Sequence, residues 1–132
     1  MRLVERVVEL VAGESARAVR VAHPDDWYFQ GHFPGDPVVP AIVLIELLAQ
    51  TGGIAAASGA AAGNTQALRV AAVGPFKFPA GARPNQLLEA RVRVVVRMGG
   101  VIKIEGEVFA DGTRVATGSV TLAEVKAEAP VV

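Results

Sequence analysis

Residues 31–53 read GHFPGDPVVPAIVLIELLAQTGG, and the way this stretch divides decides the fold. Its first part is a loop, because its prolines and glycines fall too close together for a helix or a strand. From Pro40 the composition turns to Ala, Ile, Val and Leu, with proline at the first turn, where a helix accepts it. Glu46 stands near the middle of this helix, surrounded in sequence by Ile42, Leu44, Ile45, Leu47 and Leu48. A carboxylate buried there needs a partner or favours its neutral form. Gln50, four residues on, shares its helical face and is placed to hydrogen-bond it and fix its orientation. Gly52-Gly53 is expected to interrupt the helix and Gly59 to Asn64 to end it, with close packing on a sheet accounting for these glycines.

On the N-terminal side, residues 2–11 and 15–22 read as two strands joined at Ala12-Gly13-Glu14. A loop dense in proline and aspartate, HPDDWYFQGHFPGDPV, leads to the helix. On the C-terminal side, residues 66–73 form a strand, followed by the irregular segment GPFKFPAGARPN. NQLLEARVRVVVRM and VIKIEGEVFA flank Gly99-Gly100 as a hairpin, and Asp111-Gly112, a strong hairpin signal, opens TRVATGSVTLAEV. Val92, Val94, Val96 and Met98 alternate with Arg91, Arg93, Val95 and Arg97. Ile102, Ile104, Gly106 and Val108 alternate with Lys103, Glu105, Glu107 and Phe109, so one sheet face is apolar and the other charged. A short hairpin, one helix of about twenty residues and an antiparallel meander make an α+β chain. Such a helix buries its apolar surface by lying along the concave face of the sheet. This is the layout of a hotdog fold, but the pattern alone gives only α+β.

A single domain spanning residues 1–132 follows from the length. Hydrophobic residues at 52% against 20% charged argue for a packed core over disorder. The 13 basic and 13 acidic side chains cancel, so no overall field favours nucleic acid or an anionic membrane. The absence of cysteine removes disulfides, zinc–thiolate sites and thiol nucleophiles, and two histidines, His23 and His32, argue against a multi-histidine metal site. MRLVERVVELVAGES carries charges within its apolar stretch and is not a secretory signal. Residues 38–62 contain Glu46 and Gln50, which argues against a membrane span. A cytoplasmic location is expected.

His32 in the loop and Glu46 in the helix, fourteen positions apart, would form a general acid/base pair if they met in one apolar groove. GHFPGDPVVPAIVLIELLAQ closely resembles the signature of FabZ-type 3-hydroxyacyl-[acyl-carrier-protein] dehydratases, of the form GHFPxxPVxPGVLxxEAMAQ. WYFQ is similar to the FFQ lead-in of that family, and ERVVEL, ARAVRV and PFKFP extend the resemblance over most of the chain. It implies a hotdog homodimer, often assembled as a trimer of dimers, in which the histidine of one subunit and the glutamate of the other line a tunnel. It also implies the reaction: loss of water from an acyl-carrier-protein-linked 3-hydroxyacyl thioester, giving the trans-2-enoyl thioester. His32 is then the base at the α-carbon and Glu46 the acid that protonates the departing β-hydroxyl. The oxyanion donor is the backbone N–H of Ala41, at a helix N-terminus that suits a developing negative charge. The carbonyl of Val38 orients the histidine ring. No metal or cofactor is implied. A glutamate at 46, where the dehydratase/isomerase relatives have aspartate, argues for dehydration without isomerisation.

Three departures from the pattern stand out. Ala41 replaces a glycine, Leu47 replaces an alanine, and no N-terminal helix or PHR-type segment is expected before the first strand. Leu47 is expected to reshape the tunnel, while Ala41 and the short N-terminus keep open a catalytically silent acyl-binding subunit; a hotdog thioesterase or enoyl-CoA hydratase is the alternative enzyme. Phe76 and Phe78 are expected to line the tunnel or pack in the core. Lys77 and Arg83, in the segment resembling the family's tunnel-mouth loop, are candidates to contact the acidic carrier protein. Arg91, Arg93, Arg97 and Lys103 either dock that carrier or pair across strands with Glu105 and Glu107, the pairing being favoured. His23, Asp25 and Asp26 are expected to be solvated loop residues, and Asp36 to close its turn.

Overall fold

In the computed structural model, which describes residues 2–30, 35–57 and 67–125, the helix runs unbroken through the paired glycines. Strands β1 (Arg6–Val11) and β2 (Ser15–Val21) form the first hairpin, and a short 3-10 turn covers Trp27–Phe29. Helix α1 (Ala41–Ala57) follows, then β3 (Ala67–Val73), β4 (Leu87–Met98), β5 (Val101–Ala110) and β6 (Thr113–Val125). The six strands form one sheet in the order β1-β2-β4-β5-β6-β3, with every neighbouring pair antiparallel. After the helix the chain therefore crosses to the far edge, and β1 and β3 close the two sides. This is the α+β arrangement expected from the element order, and the hotdog architecture that the resemblance implies.

Helix and sheet meet through Val43, Leu44, Leu47, Leu48, Thr51, Gly52, Ala55 and Ala56, all buried. Facing them are Leu88, Ala90 and Val92 of β4, Ile102, Ile104 and Val108 of β5, and Val120 and Leu122 of β6. Thr51 resolves the polarity of its buried position by donating its hydroxyl to the Leu47 carbonyl at 2.8 Å. Gly52 does not interrupt α1 because it serves packing: a Cβ there would lie 2.8 Å from Ile104 Cγ2. Gly53, one position round the helix, has open space where its Cβ would be. The predicted end of the helix at Gly59 to Asn64 lies outside the described residues.

The last helical carbonyls, which an α-helix cannot satisfy internally, are held from the sheet. The Gly13 N–H of the first hairpin turn donates to Ala55 O at 3.0 Å, and Arg97 Nη2 donates to Ala56 O at 3.0 Å. Arg97 reaches the helix because the β4–β5 register slips between Val94 and Val96. The bulge reverses the alternation expected from sequence: Val96 and Met98 turn outward, 74% of Met98 lying exposed, and Arg97 pairs with Ile102 on the helix side. Both predicted two-residue hairpins are present, with positive φ at Gly99 and Gly100 and at Asp111 and Gly112.

The charged outer face pairs as sequence favoured at one arginine only. Arg93 bridges Glu105 and Glu107 at 3.4 and 3.3 Å. Arg91 instead turns to Glu89 of its own strand at 2.7 Å and lies 4.4 Å over the Phe109 ring, while Glu89 also takes Arg17 at 2.7 Å.

Candidate active site

The side of α1 turned away from the sheet carries the candidate chemistry. Ala41 and Ile42 are exposed, and Ile45, Glu46, Gln50, Gly53 and Ile54 are partly so. Ile42 is 72% exposed, so the apolar neighbours of Glu46 in sequence do not enclose it; one helical stripe lies open and Glu46 sits half-buried on it. The physical reason is periodicity: the helix is apolar all round, but one sheet covers only one side. The expected full burial of the carboxylate is therefore not a property of the single chain.

Gln50 Nε2 donates to Glu46 Oε1 at 3.0 Å, as their spacing predicted. The amide oxygen of Gln50 accepts the Leu3 N–H at 2.7 Å. A backbone N–H can only donate, so this second bond fixes which end of the amide faces Glu46. Around the pair runs a groove between α1, β3, β6 and the N-terminal segment. Glu46, Ala49, Gly53, Val70 and Leu122 line its head; Val4, Ile54, Ala57 and Leu68 line a larger continuation of about 600 Å³. Among the described residues, apart from Arg2 and the Glu46–Gln50 pair, its lining is aliphatic or glycine.

Ala41 is the first residue of α1, so its N–H has no intrahelical acceptor. The turn before it is fastened to the segment after β3: Val39 N donates to Ala82 O at 2.8 Å, and Arg83 pairs with Asp36. Arg83 is thus engaged within the chain, and Asp36 ties two loops together instead of closing its own turn. Val38 lies at this junction, half-buried. His32 lies in residues 31–34, outside the described residues, so its distance from Val38, Ala41 or Glu46 is not part of this geometry.

Lys77 pairs through its backbone with Thr117, N to O at 2.9 and 3.0 Å, which lays residues 74–78 along β6. Phe76 packs on Gly118, where a Cβ would stand 2.5 Å from the ring, and joins the edge of the core. Phe78 stacks on Phe76 at 5.9 Å and is 42% exposed. Neither aromatic borders the groove beside Glu46.

A cluster that the sequence did not reveal sits beneath the loop leading to His32. Asp26 accepts Arg20 Nη2 at 2.7 Å, the Tyr28 hydroxyl at 2.6 Å and the His23 N–H at 3.1 Å. Arg20 Nη1 also donates to Leu3 O at 3.3 Å. Burial acts to raise the Asp26 carboxyl, but the hydrogen bonds from Tyr28 and Arg20 outweigh it and hold it below its ordinary value. The Tyr28 phenol is pushed up to about 12, first by burial and then by its bond to Asp26. Asp26 is therefore a structural clamp and not the solvated residue expected; Asp25 beside it is exposed. His23 donates to Glu5 at 2.9 Å, and this bond above all lowers the Glu5 carboxyl. Among the described residues no three His, Cys, Asp or Glu side chains cluster to hold a metal, and no helix is long and apolar enough to cross a membrane.

Comparison with known proteins places this geometry in context. A family model described as a FabA-like domain matches residues 1–119. A 3-hydroxyacyl-[acyl-carrier-protein] dehydratase FabZ from Nitratiruptor sp. is 33% identical over 119 residues, covering 86% of this chain and 80% of its own. A protein of the same name from Ruminiclostridium cellulolyticum is 34% identical over 126 residues, covering 95% and 87%. Among solved structures, the dehydratase heterocomplex ApeI:P from Xenorhabdus doucetiae superposes with a TM-score of 0.75 at 16% identity, over 95% of this chain and 84% of that one. TTHA0967 from Thermus thermophilus, a thioesterase superfamily member, does so at 0.72 and 16% identity, over 89% and 85%. At these identities the likeness shows the fold, and function rests on residues.

Proposed function

The chain belongs to the FabA-like domain family, and from that premise we propose that it removes water from 3-hydroxyacyl thioesters carried on acyl-carrier protein. The observation that carries this reading is the Glu46 carboxyl, oriented by Gln50 at the head of an aliphatic groove on the open side of α1. A groove of this character accepts an acyl chain, and a carboxyl at its head meets the chain near the thioester. The names of the sequence relatives support the carrier-linked hydroxyacyl group as substrate.

His32 takes the α-proton that the thioester acidifies. Glu46 gives its proton to the β-hydroxyl, which leaves as water, and the electron pair of the α-carbon forms the trans double bond. Negative charge developing on the thioester oxygen is met by the Ala41 N–H, reinforced by the positive end of the helix dipole. The Val38 carbonyl orients the imidazole. None of these steps calls for a metal or a redox cofactor.

A second copy of the chain covers the open stripe, and each site draws His32 from one subunit and Glu46 from the other. The exposure of Ile42 on an otherwise apolar helix supports a homodimer, and a trimer of dimers is the larger assembly in view. Lys77, exposed beside the Phe76–Phe78 stack, is the favoured contact for an acidic carrier, with Arg83 secondary because Asp36 already holds it. The setting is the cytoplasm.

The test is incubation with 3-hydroxyacyl- and enoyl-carrier-protein thioesters of several chain lengths, with products resolved by mass spectrometry. Loss of one water, abolished in His32→Ala and Glu46→Gln, is the expected result. Release of free acid would replace the reading with thioester hydrolysis. Acyl binding without turnover would make the chain a silent acyl-binding subunit.

A further inference from the structure

We propose that the backbone N–H of Leu3 is a positioning element for Glu46, acting through Gln50; the inference rests on the assignment of Glu46 as the proton donor. Three observations converge on this one residue. Its N–H donates to Gln50 Oε1 at 2.7 Å, and Gln50 Nε2 in turn donates to Glu46 Oε1 at 3.0 Å. Its carbonyl accepts Arg20 Nη1 at 3.3 Å, and Arg20 is itself held by Asp26 at 2.7 Å. The Leu3 side chain is buried, 1% exposed, so the segment is anchored although it precedes the first strand.

The chemical consequence lies in the two ends of the amide. A glutamine side chain can turn over, presenting either its carbonyl or its NH₂ to a neighbouring carboxyl. Opposite a protonated glutamic acid, the carbonyl end would attract the acid proton and hold it away from substrate. The Leu3 N–H removes that choice, because it is satisfied only by the Gln50 oxygen. The NH₂ must then face Glu46 and occupy Oε1 as acceptor. Oε2 has no hydrogen bond among the described residues, so it is the oxygen that carries the transferable proton toward the groove. The Arg20–Asp26 clamp holds the Leu3 carbonyl and so keeps this residue in place, and Tyr28 and the His23 N–H complete that clamp.

The decisive variant replaces only the Leu3 N–H. Incorporation of the α-hydroxy analogue of leucine at position 3 of the full-length chain converts this amide to an ester and leaves the buried side chain intact. An ester oxygen repels the Gln50 carbonyl, so the amide turns and the donor to Glu46 is lost. The expected result is a fall in kcat of about tenfold with KM within about twofold, the pattern of a misplaced catalytic group. Gln50→Met should show a similar fall, and the ester combined with Gln50→Met should be no slower than Gln50→Met alone. That non-additivity identifies action through Gln50, which a general loss of stability would not produce. Unchanged kcat in the ester variant, or additive losses in the combined one, would overturn the inference. Glu46→Gln separates the two readings: if it abolishes turnover while the ester has no effect, only the positioning role fails. If Glu46→Gln retains turnover, both fall together.

Discussion

The Tyr28 hydroxyl donates to Asp26 Oδ2 at 2.6 Å beneath the loop that leads to His32. The phenol is 1% exposed, and burial together with this bond raises it from 10.0 to about 12. A raised folded value contributes stability that is complete below the unfolded value and is lost as pH rises through the folded one. Between pH 10 and 12 the wild-type protein should therefore lose roughly 2–3 kcal/mol on account of this residue alone. Tyr28→Phe should start about 1–3 kcal/mol less stable, because Asp26 loses a partner, and should lack the alkaline loss. Urea denaturation across that range compares the two. Since the chain has one tyrosine, phenolate absorbance reports the group directly; titration near its ordinary value would refute the clamp. Asp26 works in the other direction. Its lowered carboxyl contributes stability above the unfolded value of about 3.8 that is lost as pH falls toward the folded one.

Adjacent glycines in α1 should respond oppositely to the same substitution. A methyl at Gly52 would press on Ile104, which is fully buried and has nowhere to move. Gly52→Ala should cost about 1–2 kcal/mol despite the better helix propensity of alanine. Gly53 opens onto the groove, and Gly53→Ala should gain up to about 1 kcal/mol. Chemical denaturation of both variants checks the contrast. Gly53→Leu should fill the groove between Glu46 and Ala57 and favour shorter acyl substrates, read as a shift in kcat/KM across chain lengths. Equal effects at the two positions would mean that helix and sheet do not meet at Gly52.

Much of this architecture is visible in sequence because its signals are local. The change of period after Pro40, the Gly99-Gly100 and Asp111-Gly112 turns and the Glu46–Gln50 spacing each fix a neighbour within a few residues. What sequence misplaces depends on tertiary contacts that no local pattern marks. The bulge between Val94 and Val96 follows from pairing with β5, and it sends Arg97 to the helix and Met98 to solvent. Asp26 reads as a surface aspartate because nothing nearby announces Arg20 as its partner across the loop. The Leu3–Gln50 bond joins residues 47 positions apart through a backbone N–H, a donor that every non-proline residue has and no motif marks. Glu46 reads as enclosed because its sequence neighbours are apolar, whereas which side of the helix the sheet covers is decided by topology.

Arg97 offers a quantitative check on that topology. Its guanidinium caps the Ala56 carbonyl at the negative end of the helix dipole. Arg97→Met keeps the aliphatic stem and removes the cap, and should cost about 0.5–1 kcal/mol, lowering Tm by about 2–4 °C. Arg93→Met, which removes an exposed pairing with Glu105 and Glu107, should cost less. Differential scanning calorimetry of the two variants ranks them. The reverse order would place Arg97 on the outer sheet face, as strict alternation would have it.

The sharpest test of the helix terminus uses a residue that removes a hydrogen without disturbing the fold. Ala41 is the first residue of α1, its N–H serves no helical bond, and proline is well suited to that position. The bond from Val43 N to Pro40 O, 3.0 Å long, does not involve that hydrogen. Ala41→Pro should therefore keep Tm within a few degrees while deleting the proposed oxyanion donor. Loss of one such donor lowers kcat by about 10²–10³-fold, and rates on a 3-hydroxyacyl carrier thioester measure it. Ala41→Gly, which keeps the N–H and restores the residue usual in the family pattern, should retain activity. If the folded proline variant turns over normally, the thioester oxygen is held elsewhere, and the end of α1 positions Glu46 without stabilising charge.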